Sequence, residues 1–168
     1  MVGGHFLTPT QILVGLDSGA LALVNLTKEV DGDRLTHYLE VQSPVTEHDD
    51  QLLALSVWPQ AGGGALVATV GADLRLNVLD SNLALVHSYL PAHERLITGL
   101  ACCPTESSKL ATTSQDGTVK VWDTRLAKPC QTVHRSPLSP PSAVTWSGDK
   151  LLVGSRWDSF RIVDTQLE

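Results

Sequence analysis

The chain lacks the features that mark secreted, membrane-spanning and nucleic-acid-binding proteins. Its 168 residues include three cysteines, an odd number without a Cys-x-x-Cys pair, so the sequence predicts neither a disulfide framework nor a zinc site. It has no run of about eighteen apolar residues, the length that indicates a transmembrane helix. The first residues lack a basic segment followed by an apolar stretch, so we expect no secretory signal. Acidic residues number 18 against 12 basic ones, and the net charge of −6 disfavours a nucleic acid or an anionic membrane as main partner.

What the sequence does contain is enough apolar material for a packed domain. Apolar residues make up 42% of the chain and charged residues 18%, which argues against wholesale disorder. We interpret Cys102, Cys103 and Cys130 as buried, reduced thiols of a protein located in the cytoplasm and nucleus. The sequence predicts no cofactor and no bound metal.

A hairpin pattern recurs four times along the chain. Each copy is a small-and-aliphatic strand, a turn containing Asp, and an alternating strand that closes on Asp or Asn. The closing residues are Asn25, Asp80, Asp123 and Asp164, which are 55, 43 and 41 residues apart. Two of these spacings match the period of about 40–45 residues that is typical of four-stranded propeller blades. The longer first spacing predicts an extended loop around residues 27–37.

The segments between the hairpins complete an all-β pattern. They alternate between polar and apolar residues over five to seven positions, bounded by Gly, Pro, Asp and Ser, and no stretch has helical periodicity. The sequence therefore predicts one repeat region over residues 1–168, with about four propeller blades ending near residues 25, 80, 123 and 164. In the first unit we find no clear leading strand.

The third hairpin, "LATTSQDGTVKVWD", resembles the WD40-repeat family. In that family a buried polar relay locks each blade: a His before the first strand bonds the turn Asp, and a Ser or Thr links to the Trp indole. Buried donors and acceptors need such partners. Carried over by position, the resemblance implies relay residues His93, Thr112, Asp116 and Trp122 in the third unit, and His48, Thr69 and Asp73 in the second.

The other units depart from the full relay. Leu79 replaces the Trp in the second unit, Val24 in the first and Val163 in the fourth. We therefore expect weaker locks there, or apolar packing alone. Gly117 follows the turn Asp of the third unit, which suits a tight turn that needs positive φ.

A nucleophilic triad, a phosphate-binding loop and a metal site are alternative explanations for some of the residues in this sequence. His, Asp and a hydroxyl are the ingredients of a nucleophilic triad, but the set recurs at a structural period and the chain has no Gly-x-Ser-x-Gly elbow. The glycine-rich segment 61–71 precedes a strand, and no Gly-Lys-Ser/Thr follows it, so it does not indicate a phosphate loop. The remaining histidines show no metal-ligand spacing. These observations favour a protein that is not an enzyme.

A finer similarity concerns segments 12–21, 47–57, 88–104, 116–129 and 159–165. In this order they look like consecutive middle blades of the methylosome family of WD40 adaptors. That resemblance implies a non-catalytic adaptor that binds the symmetric-dimethylating protein arginine methyltransferase and helps present Arg-rich substrates, such as histone or Sm-type tails. It also implies a longer parent chain, so we expect these four units to form an incomplete propeller. The alternative is a WD40 scaffold of another complex, such as a ubiquitin-ligase substrate receptor or an import receptor.

Two pairs of residues are candidates for partner binding. Arg156 and Trp157 lie at the turn of the fourth unit, and Trp beside Arg is the composition of interface hot spots. Glu94 and Arg95 form a second candidate patch in the loop after His93. We expect the loops that carry the turn Asp and those that carry the leading His to lie near opposite ends of the strands.

Overall fold

The computed structural model describes residues 3–31, 34–60, 64–135, 139–155 and 161–164, and throughout this part of the chain the regular structure is antiparallel β-sheet. Sixteen strands form four sheets, each built from strands that are consecutive in sequence. The predicted all-β class and the propeller-blade architecture are confirmed.

Each sheet is one blade, numbered one to four along the chain. Blade 1 consists of β1 (Gly3–Thr8), β2 (Gln11–Gly15), β3 (Ala20–Asp31), β4 (Arg34–Val41) and the short β5 (Val45–Thr46), which pairs with β3. Blade 2 consists of β6 (Leu52–Pro59), β7 (Ala65–Gly71), β8 (Leu76–Leu79) and β9 (Leu85–Tyr89). Blade 3 consists of β10 (Ile97–Cys102), β11 (Lys109–Ser114), β12 (Thr118–Asp123) and β13 (Pro129–Arg135). Blade 4 comprises β14 (Pro141–Ser147), β15 (Lys150–Ser155) and β16 (Arg161–Asp164).

Apolar residues on both faces of the middle strands hold neighbouring blades together. Because side chains alternate between the two faces of a strand, one row of a blade packs on the preceding blade and the other row on the following blade. The core between blades 1 and 2 contains Leu13, Leu21, Leu23, Leu52, Leu55, Val67, Leu79 and Leu83. The core between blades 2 and 3 contains Trp58, Ala68, Val70, Leu76, Val78, Tyr89, Ala92, Ile97, Leu110 and Trp122. The core between blades 3 and 4 contains Ala111, Val119, Val121, Leu151 and Val153.

Blade 1 departs from the sequence-based expectation in two ways. A leading strand is present, since β1 pairs with β2 and places Phe6 opposite Ile12. The expected loop around residues 27–37 is instead paired strand, because β3 and β4 continue their ladder from Val24–Val41 to Asp31–Arg34. The extra residues of the first repeat therefore lengthen a hairpin.

One of the three cysteines also differs from expectation. Cys103 is buried and Cys102 is partly buried, but Cys130 is exposed. Cys130 lies on β13, the outermost strand of blade 3, which has no further strand to cover it. The prediction that all three thiols are buried is therefore wrong for Cys130.

Candidate functional site

The structure brings the four relay residues of blade 3 into one hydrogen-bonded chain. The indole Nε1 of Trp122 lies 2.8 Å from Oγ1 of Thr112, and that oxygen lies 2.7 Å from Nε2 of His93. Nδ1 of His93 lies 3.0 Å from Oδ2 of Asp116. The relay spans blade 3, because His93 lies in the loop before β10, Thr112 on β11 and Trp122 near the end of β12.

The donors in this chain fix the protonation state of the imidazole. The indole can only donate, so Thr112 accepts from Trp122 and has one proton left to donate to Nε2 of His93. The neutral Nδ1–H tautomer of His93 then donates to Asp116. Burial lowers the pKa of His93 below its ordinary value of 6.5, against the attraction of Asp116, which favours this neutral form. A second proton on Nε2 would place a positive charge on a buried imidazole, and the Thr112 hydroxyl would then accept from it.

Asp116 joins the relay to two loops. Its carboxylate accepts from the hydroxyl and amide of Thr118 and from the amide of Glu94. Burial acts to raise the pKa of Asp116, but these hydrogen bonds and the nearby His93 outweigh it and lower the pKa to about 2. Gly117 has a φ of 84°, as expected for the turn, which lets the chain fold back tightly over the carboxylate.

Blade 2 holds a shorter version of the relay. Nε2 of His48 lies 2.9 Å from Oγ1 of Thr69, and Nδ1 lies 3.0 Å from Oδ1 of Asp73. Burial acts to raise the pKa of Asp73, but the hydrogen bonds from His48 and from two backbone amides lower it below its ordinary value. Leu79 fills the Trp position as a fully buried side chain, so apolar packing replaces the indole bond.

Blades 1 and 4 have no hydroxyl at the relay position of the second strand. When the four blades are aligned by their strand pairing, the position of Thr69 and Thr112 is occupied by Val14 in blade 1 and by Val153 in blade 4. Val24 and Val163 occupy the Trp position there, as the sequence indicates. In blades 1 and 4 apolar side chains therefore stand at the sites where blade 3 has its relay.

The relay is built to lock a blade, and its geometry does not suit nucleophilic catalysis. His93 and Thr112 are 1% and 0% exposed, and the Thr112 hydroxyl is already bonded on both sides. A substrate carbonyl cannot reach that oxygen. Among the residues described, no group of three His, Cys, Asp or Glu side chains is placed to hold a metal ion.

The hydrogen bonds also show where the two kinds of loop lie. His93 contacts Asp116 directly, and His48 contacts Asp73, so leading loops and turns share one end of the strands. The expectation that they lie near opposite ends is wrong, because a relay of single hydrogen bonds requires both groups within about 3 Å. We call this end of the blades the upper face.

Glu94 and Arg95, the second predicted patch, lie exposed on the upper face. Their backbone is anchored: the amide of Glu94 donates to Asp116, and the carbonyl of Arg95 accepts from the hydroxyl of Ser114. The loop therefore presents two charged side chains from a fixed backbone. Arg156 and Trp157, the first predicted patch, lie outside the described residues.

Sequence reasoning missed several polar contacts that reinforce the blades. Thr118 bonds both Asp116 and His93, and its place two residues after the turn Asp was the available signal. Two other tryptophans connect neighbouring blades: Nε1 of Trp58 donates to the Ser107 carbonyl, and Nε1 of Trp146 donates to the Ala101 carbonyl. No repeat pattern marks these two bonds, since their acceptors are backbone groups.

The blades, the relay and a family match define the class of this protein. Residues 84–123 match the family model described as "WD domain, G-beta repeat". The matched residues lie in blades 2 and 3, and the four sheets have the form of propeller blades. No helix of the described residues is long and apolar enough to cross a membrane.

Particular curated proteins are similar to parts of the chain. The "Methylosome protein WDR77" of Xenopus laevis is 30% identical over 141 residues, which cover 83% of this chain and 39% of that protein. The "Ribosome biogenesis protein YTM1" of Lodderomyces elongisporus is 34% identical over 87 residues, covering 52% of this chain and 16% of that protein. The "Nucleoporin Nup37" of Homo sapiens is 30% identical over 101 residues, covering 57% and 30%. The chain thus spans well under half the length of these relatives.

Solved structures share the fold at low sequence identity. The computationally designed Ika4 protein superposes with a TM-score of 0.72 at 15% identity, over 96% of this chain and 88% of that one. The designed Ika8 protein superposes with a TM-score of 0.73 at 16% identity, over 96% of this chain and 44% of that one.

Proposed function

We propose that the chain is a non-catalytic WD40 adaptor that binds a protein arginine methyltransferase and helps present Arg-rich substrates. The observation that carries the proposal is the similarity to the Xenopus methylosome protein along 83% of this chain. That match extends far beyond residues 84–123, where the general repeat model lies. We place the protein in the cytoplasm and nucleus as part of this proposal.

The upper face has the charge that such substrates require. Asp49, Asp50 and Glu94 are exposed there beside Arg75 and Arg95, which leaves a small excess of carboxylate, and the whole chain carries a net charge of −6. Arginine-rich tails are strongly basic, so a face with excess carboxylate attracts them and orients their approach. The side chain of Arg75 bonds Asp49 at 2.7 Å, which holds one of these carboxylates in place.

The chemistry of methyl transfer is assigned to the partner. A nucleotide-derived methyl donor is commonly held at a glycine-rich strand-to-helix turn. The described residues form strands and turns, and no such strand-to-helix turn occurs among them. Calorimetry with S-adenosylmethionine is therefore expected to give no heat of binding, and a micromolar dissociation constant would contradict a purely adaptor role.

A binding measurement tests the adaptor role directly. The chain is immobilised and titrated with the purified symmetric-dimethylating methyltransferase. Reversing the charges of the exposed pair, with Glu94→Lys and Arg95→Glu together, should weaken binding at least tenfold, about 1.4 kcal/mol. Glu40→Lys, together with Lys28→Glu, reverses one exposed charge of each sign on blade 1, is the control of equal net charge and should leave binding unchanged. Equal effects of the two variants, or no binding by the parent chain, would refute the proposal.

The Arg156–Trp157 prediction needs its own variant. If Trp157 contacts a partner, Trp157→Ala weakens methyltransferase binding tenfold and leaves the melting temperature unmoved. If the melting temperature falls while binding is unchanged, the side chain packs between blades and the prediction is wrong.

A second candidate is a scaffold in a different assembly. The similarities to a ribosome biogenesis protein and to a nucleoporin favour it, since each covers half of this chain or more. Affinity purification of the tagged chain with mass spectrometry separates the two. Recovery of an arginine methyltransferase supports the first, while recovery of ribosome-assembly or nuclear-pore subunits without it supports the second.

A further inference from the structure

A polar groove with a volume of about 300 Å³ lies at the junction between blades 2 and 3. Blade 2 lines it with Leu90 and Pro91, which follow its outer strand β9. Blade 3 lines it with Lys120 on β12 and with Lys128 and Pro129 at the turn between β12 and β13. Blade 1 contacts blade 2 and blade 4 contacts blade 3, so the groove does not lie at either end of the array.

The structural task of Lys120 can be read from the same position in blade 2. Lys120 stands opposite the relay threonine of blade 3, just as Asn77 stands opposite the relay threonine of blade 2. Nζ of Lys120 donates to the carbonyl of Ala92 at 2.7 Å, and Nδ2 of Asn77 donates to the carbonyl of Glu47 at 2.7 Å. Each carbonyl belongs to the residue before the leading His. Because a neutral amide makes this bond in blade 2, the bond in blade 3 does not require a charge.

The charge of Lys120 has no counter-charge within the described part of the chain. No carboxylate there lies within ion-pair distance of Lys120, and none lines the groove. Lys120 is partly buried, and its Nζ lies 5.8 Å from the centroid of the Trp122 ring. Asn77, by contrast, is 1% exposed, so the matching place in blade 2 is neutral and closed. An ammonium group withdrawn from water is stabilised by an anion beside it, and the groove leaves room for one.

The turn on the far side of the groove is held in place without a partner. The hydroxyl of Tyr89 donates to the carbonyl of Leu126 at 2.9 Å, which ties blade 2 to the turn after β12. Within that turn the amide of Leu126 donates to the carbonyl of Asp123 at 2.9 Å. Lys128 is exposed and belongs to the same anchored turn. The backbone that carries both lysines is therefore ordered in advance, which lowers the entropic cost of binding an anion between them.

We propose that this groove binds a carboxylate side chain from an acidic segment of a partner protein, with Lys120 and Lys128 as its cationic contacts. A volume of about 300 Å³ is at the lower limit for ligand pockets, so the groove takes one or two side chains. Leu90 beside it is 57% exposed and provides a contact for an apolar residue next to the carboxylate. The net charge of −6 disfavours a polyanion such as nucleic acid. The proposal does not rest on the adaptor function, which concerns basic substrates at the upper face.

A pair of short peptides tests the charge preference. The probe is acetyl-Gly-Leu-Glu-Leu-Asp-Leu-Gly-amide, titrated into the isotope-labelled chain and followed by amide NMR. Its counterpart carries Gln and Asn in place of Glu and Asp. The acidic peptide should bind at least tenfold more tightly, a difference of about 1.4 kcal/mol. The signals that shift should include the amides of Leu90, Lys120 and Lys128 and the indole of Trp122. Equal affinity of the two peptides, no binding, or shifts confined to other blades would overturn the proposal.

Three lysine variants then separate charge from structure. Lys120→Asn copies the residue of blade 2, so it should weaken binding of the acidic peptide about tenfold and leave the melting temperature unmoved. Lys128→Gln, at an exposed position, should also weaken binding and decides the question if Lys120→Asn does not fold. Lys150→Gln removes the same charge from an exposed position on blade 4 and is the control, with binding unchanged.

Two results would refute a carboxylate site at these lysines. One is an equal effect of all three variants, since binding would then depend on net charge and not on the groove. The other is binding of inorganic phosphate in place of the acidic peptide, which would assign the groove to a phosphate ligand.

Discussion

The role of the indole in the blade 3 relay can be measured by removing one hydroxyl. Thr112→Val keeps the shape of the side chain and deletes the oxygen that joins Trp122 to His93. The change leaves the indole Nε1–H and the imidazole Nε2 without their partner inside a site that is 2% exposed or less. Each unsatisfied buried group costs about 1–3 kcal/mol. The added methyl group returns at most about 0.8 kcal/mol. We expect a net loss of about 1–5 kcal/mol in the free energy of unfolding.

Thr69→Val is the matched control in blade 2. Thr69 is also fully buried and its hydroxyl also contacts an imidazole, but Leu79 stands where blade 3 has its Trp. The control therefore leaves one group unsatisfied where Thr112→Val leaves two, and should lower the free energy of unfolding by about 0–2 kcal/mol. The difference between the two losses in free energy of unfolding measures the contribution of the indole hydrogen bond.

Urea denaturation followed by circular dichroism, at one protein concentration and pH 7.5, provides the two free energies. Adding Trp122→Phe to Thr112→Val removes the stranded indole donor, so the double variant should lose less than the sum of its single changes. Equal losses for Thr112→Val and Thr69→Val, or strict additivity in the double variant, would show that the indole bond contributes nothing to stability.

Three further predictions concern the same turn. Asp116→Ala should cost about 2–4 kcal/mol, because three donors and an imidazole lose their acceptor; an equal loss in the exposed control Glu40→Ala would contradict this in denaturant titrations. Gly117→Ala should cost about 1–2 kcal/mol in the same titrations, because φ is 84° there, and an unchanged midpoint would contradict it. On acidification the melting temperature should fall in two stages. Because the pKa of His93 is lowered in the folded chain, neutral His93 contributes fully to stability above pH 6.5, the ordinary pKa of histidine. This contribution is lost as the pH falls below that value. Asp116 contributes above 3.8 and loses its contribution as pH falls toward about 2; a flat profile from pH 7 to pH 2.5 would contradict both.

The blade hairpins were predictable from sequence because each is a local unit. Alternation, a turn Asp and the closing Asp or Asn recur at a fixed period, so four copies support one another. The relay partners of blades 2 and 3 came from the resemblance to WD40 repeats, which assigns an imidazole, a hydroxyl and a carboxylate to those positions. The resemblance states the partners but not their placement at one end of the strands, which the structure shows.

The predictions for blade 1 that were wrong concern segments where tertiary structure overrides the local sequence pattern. Strand β1 begins with Gly3 and Gly4, which lower its strand propensity. Its hydrogen-bonded pairing with β2 stabilises the extended conformation despite these glycines. The lengthened hairpin of blade 1 looked like a loop because it contains Lys, Glu and Asp. Such residue types do not preclude a strand, since an antiparallel sheet does not need apolar residues on both faces.

The unequal blades explain where partner specificity can arise in this fold. In blades 2 and 3 a buried carboxylate accepts from the amide of the leading loop, through Asp49 in one case and Glu94 in the other. Those amides fix the backbone of two neighbouring loops on the upper face, and the exposed charges of the same residues are thereby held at defined positions. Charge changes in the leading loops of blades 2 and 3, such as Glu94→Lys, should therefore alter partner binding more than the same change at an exposed strand position such as Glu40, because an anchored backbone holds the charge in place before the partner arrives.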